Sequence, residues 1–514
     1  MSDHGRATQG GGDPGSTGDL REIVRYRLLH DVLGNSAEKH PGWMVLVVDR
    51  PALRVISSPV GMYDLMEHRI TLVEDLTKKR SPFRDMGVVY LLAPTPDSVK
   101  RLIEDWTPGT NRKEPMYGNS IFLYFLNRIP DPLLNKIKGC KALVRRIRAL
   151  GEVNIDFLAR ESRAFHLDMR NALRYVFPRR PSPGRCEQVM ADKIVSLCVT
   201  LNEYPHIRYR ASSPLVDGLA KLCHRKMSEY VGANEKWWYH GDPTHPSRGR
   251  STLLLFDRSD DCLSPMMHEF TYQAMVHDLL DVKDGERVTY KSETISGGGG
   301  DDEGDAEGKT ADKDVLLNDN DSLWLELRGK HIAEVIEMLS GRIRGMLNSN
   351  TAAVSKKSTG GAAKAMSLTQ MAAALKEMPE YRQVMEKLTQ HMTLSHQCME
   401  IFNREELLDL SELEQTLATG KDDSGRVPKL NELVERVEEC MKGSNNSLIR
   451  LRLLAILIVS QNGMRDEDKD RLLAAARLAP RELRVLNNLE HMGVPVLQKD
   501  DDDGGNRKLS KLFK

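Results

Sequence analysis

From Trp43 onward a polar, glycine-rich chain turns into short uninterrupted apolar runs. WMVLVVD (43–49) ends in an acid and reads as a strand buried on both faces. ALRVIS (52–57), ITLVED (70–75), VVYLLA (88–93), SIFLYF (120–125) and VNIDFL (153–158) read the same way. Helical spacing lies between several of them. Pro96 to Trp106 opens with a proline and an acid and puts Val99, Leu102 and Ile103 on one face. Leu133 to Leu150 predicts a helix broken at Gly139. Strands alternating with helices predict a doubly wound, parallel-sheet α/β domain over 23–158.

Residues 159–250 mix helix and strand again, with amphipathic helices expected over Val189–Leu201 and Leu215–Val231, and form a second α/β domain. WWYHGDPTHPSRGR (237–250) reads as a loop and STLLLFD (251–257) as a further buried strand. That strand opens a third domain, 251–497, which turns helical after 320. Helices are expected over 322–347, 366–376, 380–402, 404–418, 429–441, 447–461, 466–478 and 480–491. The acidic, glycine-rich stretch 296–314 predicts a solvated loop, and 1–22 and 498–514 predict disordered tails. The fold class is α/β plus α.

Charge changes the picture only locally. The 514 residues carry 74 Lys+Arg and 74 Asp+Glu. A balanced chain argues against a protein that coats nucleic acid or an anionic membrane, and leaves room for a local basic patch. The longest apolar run near the end, Leu453–Val459, falls far short of the ~20 residues a bilayer needs. The first residues have no apolar core of a secretory signal. Seven scattered cysteines without a CxxC pair speak against structural zinc and fit a reducing cytosol.

Catalytic patterns are weak. Gly10-x-Gly12-x-x-Gly15 matches a dinucleotide fingerprint by letter, but it follows no strand and contains Pro14. His268-Glu269 starts like a zinc-protease motif, yet Tyr272 stands where the second histidine is needed, so a structural helix start is the simpler reading. In DRSDD (257–261), Asp257 and Asp260 suit either a metal-dependent α/β enzyme or hydrogen bonds tying a strand end to the next helix. Two basic groups stand out: Lys78-Lys79-Arg80, and Lys136, Lys138, Lys141, Arg145, Arg146 and Arg148 on one expected helical stretch. Neither is interleaved with aromatics, so a solvated face or an acidic protein partner fits better than nucleic acid. Over 380–402, Tyr381, Met385, Leu388, Met392, Ser395, Met399 and Phe402 recur at heptad spacing, a seam for a partner helix or for a neighbour in the same chain.

Several segments together resemble the SM (Sec/Munc) family, regulators that bind syntaxin-type SNAREs in vesicle fusion. LLLFDRSDDCLSPMMHEFTYQAMVHDLL (253–280) is similar to the family signature almost letter for letter. ITLVEDLTKKRSPF (70–83), VVYLLAPTPDSV (88–99), LNEYPHIRYR (201–210), SLWLELRGKHIAEV (322–335), LKEMPEY (375–381) and MGVPV (492–496) fall in family order. The wording around 320–335 resembles the exocytic, plasma-membrane branch.

The resemblance implies a three-domain arch without catalytic activity, metal or cofactor. It implies a non-enzymatic SNARE chaperone, cytoplasmic, monomeric and recruited peripherally to the plasma membrane or secretory vesicles. Its partners are a syntaxin-type SNARE and the assembled SNARE four-helix bundle. The implied partner cleft is Asp49, Arg54, Glu74, Lys78, Lys79 and Arg80; Gly61 and Ser81 depart from the family's usual charges. A pocket for a SNARE N-terminal peptide would be Leu134, Ile147, Leu150 and Glu152. A SNARE-templating hairpin would carry Pro379, Leu388 and Met392. The rival readings are the enzyme centred on Asp257 and Asp260, and a tethering-complex scaffold that binds assembled bundles only. Family members complete their second domain after the third, whereas here MGVPV is followed only by 497–514. The expectation is therefore a C-terminally truncated chain, less stable than its relatives, with second-domain sheet surface left uncovered.

Overall fold

The computed structural model describes residues 19–107, 114–118, 120–177, 185–234, 237, 250–283, 287–293, 310–357 and 379–498. The expected helix 366–376, most of the loop 237–250, the first eighteen residues, 294–309 and 499–514 lie outside the described residues. The chain forms two compact units, 1–257 and 258–514.

The first unit is built on five parallel strands: β1 (Met44–Val48), β2 (Ile70–Asp75), β3 (Gly87–Leu92), β4 (Ile121–Phe125) and β5 (Ile147–Glu152), in the order β2-β1-β3-β4-β5. That order is the flavodoxin-like form of a doubly wound sheet. Every residue of β1, β3 and β4 is buried because helices cover both faces. Met44, Leu46, Val89, Leu91 and Phe122 enter one core; Val45, Val47, Val88, Tyr90 and Leu123 enter the other. The first core is closed by α1 (Leu20–Arg27), its π-helical continuation Leu28–Gly34 and α2 (Asn35–Lys39), with α3 (Arg50–Ser57) and α4 (Met62–Glu67). The second is closed by α5 (Pro96–Trp106), α6 (Asp131–Gly139) and α7 (Lys141–Val144). Helix α1 starts inside the expected N-terminal tail, where the Asp19 carboxylate accepts the N–H groups of Arg21 and Glu22.

Three expectations in this unit are corrected. ALRVIS is helix α3, started by the Asp49 cap and Pro51 in its first turn, with Ala52, Val55 and Ile56 on the buried side. The expected helix 133–150 stops at Val144 and becomes β5. The expected strand 153–158 is mostly irregular; β5 precedes it, and the short hairpin β6 (Leu158–Glu161) and β7 (Ala164–His166) comes after it. After α8 (Ala172–Val176), the helices α9 (Arg185–Thr200) and α10 (Pro214–Ala233) pack on one face of a two-stranded parallel sheet, β8 (His206–Tyr209) and β9 (Thr252–Leu255). Strand β9 is not buried: its outer face leaves Leu254 56 % and the adjoining Phe256 78 % exposed.

The second unit opens with α11 (Tyr272–Leu279) and the strands β10 (Val282–Lys283), β11 (Arg287–Glu293) and β12 (Thr310–Leu316). Strand β12 takes in the end of the expected acidic loop and pairs antiparallel with β11. Helices α12 (Ser322–Leu327), α13 (Ile332–Lys357) and α14 (Pro379–Arg404) share a core with them. A second core holds α15 (Leu407–Thr419), α16 (Leu430–Gly443), α17 (Ser447–Ser460), α18 (Asp466–Ala476) and α19 (Pro480–Leu486). The MGVPV segment closes it: Met464 donates its N–H to Val496, and Gln498 donates back to Met464. Gly463 is required there, because its φ of +113° and a Cβ 2.7 Å from the Leu497 carbonyl carbon exclude a side chain.

Candidate functional site

The six expected cleft residues separate by burial. Asp49 ends β1 at the switch point of the sheet, where α/β enzymes place ligands. Here its carboxylate is 4 % exposed and already occupied. It accepts the N–H of Ala52 at 3.0 Å, the N–H of Ala93 at 2.8 Å and the Ser98 hydroxyl at 2.6 Å. Burial pushes its pKa up despite these bonds. Asp49 therefore ties β1 to β3 and α5, and is no surface contact. Arg54 pairs with Asp168. Arg80 is gripped by both oxygens of Asp105 at 2.9 Å and also donates to the Tyr117 hydroxyl at 2.9 Å. Burial opposes the Arg80 charge, yet Asp105 and Tyr117 raise its pKa further. Tyr117 donates to Glu74 at 2.5 Å and Tyr90 donates to Asp105 at 2.8 Å. Glu74 and Arg80 are thus joined in one network beneath α5. Tyr90, Asp105 and Tyr117, its other members, carry no local sequence signal.

Lys78 and Lys79 differ from these. Both are exposed, just past the carboxyl end of β2, and among the described residues neither has an ion-pair partner. They are the two of the six residues that carry exposed charge without an ion-pair partner, on the loop that also carries the buried Arg80 network.

The expected peptide pocket is brought onto one face by an irregularity. Between β4 and β5 the register runs Ile121↔Ile147, then Phe122↔Ala149, Leu123↔Leu150 and Phe125↔Glu152. The bulge at Arg148 puts Ile147, Leu150 and Glu152 on the α6 side of the sheet, where simple alternation would split Ile147 from Leu150. Leu134 of α6 and Ile147 pack partly against that core, and Leu150 is 50 % exposed. One Glu152 oxygen accepts the Ile129 N–H at 2.8 Å. An apolar surface with a carboxylate beside it results, on an edge strand.

In the second unit Pro379 is the first residue of α14, and 358–378 lie outside the described residues. From Met385 to Phe402 the heptad seam packs within the chain. Leu388 is 3 % exposed in the core, while Met385, Met392 and Met399 sit half-buried at its margin. The buried line instead passes through Leu388, His391, Leu394, Ser395 and Cys398. His391, missed in the sequence because it is polar, stacks on Trp324 at 6.3 Å between ring centres. Its Nδ1 lies 3.0 Å from the Tyr272 hydroxyl and its Nε2 3.4 Å from Asp321. Asp321 also accepts from Lys387 at 2.5 Å and caps α12. Burial would raise its pKa, but His391 and Lys387 together hold it well below the usual carboxylate range.

Of the residues singled out for catalysis, Asp257 and His268 are engaged within the fold. Asp257 accepts the hydroxyl of Ser213, the cap of α10, at 2.5 Å. His268 does not start a helix; its N–H and its ring Nδ1 meet the two oxygens of Glu414 at 2.8 and 2.9 Å, and α11 begins four residues later. Among the described residues no group of three or more His, Cys, Asp or Glu is placed to hold a metal ion. Among them, too, no helix is long and apolar enough to cross a membrane.

Comparison with known proteins bears on the family and the fold. The chain is 34 % identical over 482 residues to the protein transport protein sec1 of Dictyostelium discoideum, covering 93 % of this chain and 75 % of that one. It is 29 % identical to the SNARE-interacting protein KEULE of Arabidopsis thaliana, covering 95 % and 71 %. Among solved structures it is similar to the Unc18–syntaxin 1 complex from Monosiga brevicollis, with a TM-score of 0.76 at 25 % identity over 95 % of this chain and 82 % of that one. Vps45 in complex with the Qa SNARE Tlg2 shares the fold, with a TM-score of 0.67 at 21 % identity over 92 % of this chain and 76 % of that one. Residues 44–513 match the Sec1 family, and the chain belongs to it.

Proposed function

We propose that this chain is a non-enzymatic regulator of vesicle fusion that binds syntaxin-type SNAREs and SNARE four-helix bundles in exocytosis. The observation that carries the reading is the likeness, over 95 % of the chain, to an Unc18 protein solved with syntaxin 1. Lys78 and Lys79 steer and register the helical partner. Leu134, Ile147, Leu150 and Glu152 take an N-terminal peptide that has an apolar anchor and a cation. Met392 offers an adaptable apolar contact on α14, while Leu388 holds that helix in place. The protein works from the cytoplasm and reaches the plasma membrane through its partners; seven free cysteines fit that reducing compartment.

Calorimetric titration with syntaxin-type cytosolic domains tests this directly, and no binding to any of them would sink it. Comparing free syntaxin with the assembled bundle separates this function from that of a scaffold that recognises bundles only. Leu150→Lys places a charge in the apolar surface and should weaken N-peptide binding by at least about tenfold. Unchanged affinity would put the pocket elsewhere.

A further inference from the structure

We propose that the corner of the first unit formed by the end of α6, α7 and the start of β5 binds an anionic phospholipid surface. Between Asp131 and Glu152 the chain has no acidic residue and six basic ones, although the whole chain is balanced at 74 and 74. Lys138, Lys141, Arg145 and Arg148 are exposed, and among the described residues none has an ion-pair partner. Cations elsewhere are commonly paired even on the surface, as Arg84 is with Glu114 and Lys442 with Glu438.

The corner is held by its own hydrogen bonds and by the core beneath it. Leu143 and Val144 both donate their N–H groups to Cys140, Arg145 donates to Lys141, and Arg146 donates to Leu143. Ile137 and Leu143, 2 % and 0 % exposed, anchor these turns to the core. Arg146 is held apart from the other cations: its guanidinium lies 5.9 Å from the centre of the Trp106 ring and donates to the Ala142 carbonyl at 2.8 Å. Between Lys141 and Arg145, Val144 is 43 % exposed. Lys136 is excluded, because it lies on the other flank of α6, in a groove shared with Asp97, Lys100 and Glu104.

Cations without an ion-pair partner around one exposed aliphatic side chain, in a stretch with no acidic residue, suit a bed of anionic headgroups that takes both charge and an apolar contact. Each Lys or Arg near an anionic leaflet adds to the attraction, and the attraction fades within a Debye length. The corner borders the proposed peptide pocket of α6 and β5, and protein-free vesicles test it without any SNARE present.

The full-length chain is sedimented with vesicles of phosphatidylcholine alone and with added phosphatidylserine, at low and at physiological salt. Binding should require the anionic lipid and weaken with salt. Lys138→Ala/Lys141→Ala/Arg145→Ala should lower it by about tenfold or more, whereas Lys221→Ala/Arg225→Ala on α10 should not change it. If the triple variant does not fold, the single variants K138E, K141E and R145E, each at an exposed position, carry the same test. Equal binding to neutral and anionic vesicles, or unchanged binding in the variants, overturns the proposal. Binding to a poly-glutamate peptide but not to vesicles also overturns it, and assigns the surface to an acidic protein.

Discussion

The two units bury charge in different ways. In the first, Arg80, Asp105, Tyr90, Tyr117 and Glu74 lie together on the α5 face of the sheet, beside the edge strand β2. The strand register is already set by the ladder, so this network fills a place that the sheet leaves and fixes one loop. In the second unit the buried polar groups join a helix to a distant segment of the chain, Glu414 to His268 and His391 to Asp321. A helix satisfies its own backbone, so nothing in its backbone specifies how it sits against its neighbours. Buried pairs of this kind supply that register in the helical unit.

The comparison breaks most visibly at Asp105. Asp105→Ala strands the Arg80 charge, 8 % exposed at its side chain, and should cost about 3–5 kcal/mol. Hydrogen exchange should speed up around Tyr90 and Tyr117 and stay unchanged in the second unit. Faster exchange in both units would mean that the network does more than fix a local loop.

Asp321 gives the next effect and a pH signature. Its folded pKa lies below the unfolded value, so its contribution to stability is present above the usual carboxyl pKa of about 3.9. That contribution is lost as pH falls below this value. Asp321→Asn should cost about 1–3 kcal/mol at neutral pH and flatten the acid side of the second unit's stability profile. An unchanged profile, tracked by exchange at α12 and α14, would show that the latch on Lys387 and His391 is not what holds α14.

The smallest effect is expected at the exposed pair. Lys78→Ala/Lys79→Ala should change stability by no more than about 0.5 kcal/mol while slowing association with a syntaxin-type partner and reducing its salt dependence. A loss of stability comparable to that of Asp105→Ala would erase the distinction between the buried network and the free charge it supports.

Much of the sheet was legible in the sequence. Strands β1, β3 and β4 are covered on both faces, so they appear as unbroken apolar runs. Helix α3 was misread because Val55 and Ile56 suggest a strand, although Asp49 and Pro51 form a helix start. Strand β5 is an edge, half-exposed and arginine-bearing, so no apolar run marked it. Candidate-site residues were legible as types but not as roles. Nothing in the order of Asp49, Arg54, Glu74, Lys78, Lys79 and Arg80 says that the two lysines stay exposed without an ion-pair partner while Asp49 and Arg80 are tied inside.

The sequence by itself determined the family, the parallel-sheet class of the first unit and the helical character of the second, because periodicity and ordered motifs are local patterns along the chain. Tertiary structure alone decided which polar groups are engaged inside. Asp49 is consumed by β3 and α5, Arg80 by Asp105, and His391 by Tyr272 and Asp321. It also decided that the β5 bulge turns Ile147 and Leu150 to one side. Burial and pairing depend on which distant segment arrives opposite a side chain, and that information is not carried by the spacing of its neighbours.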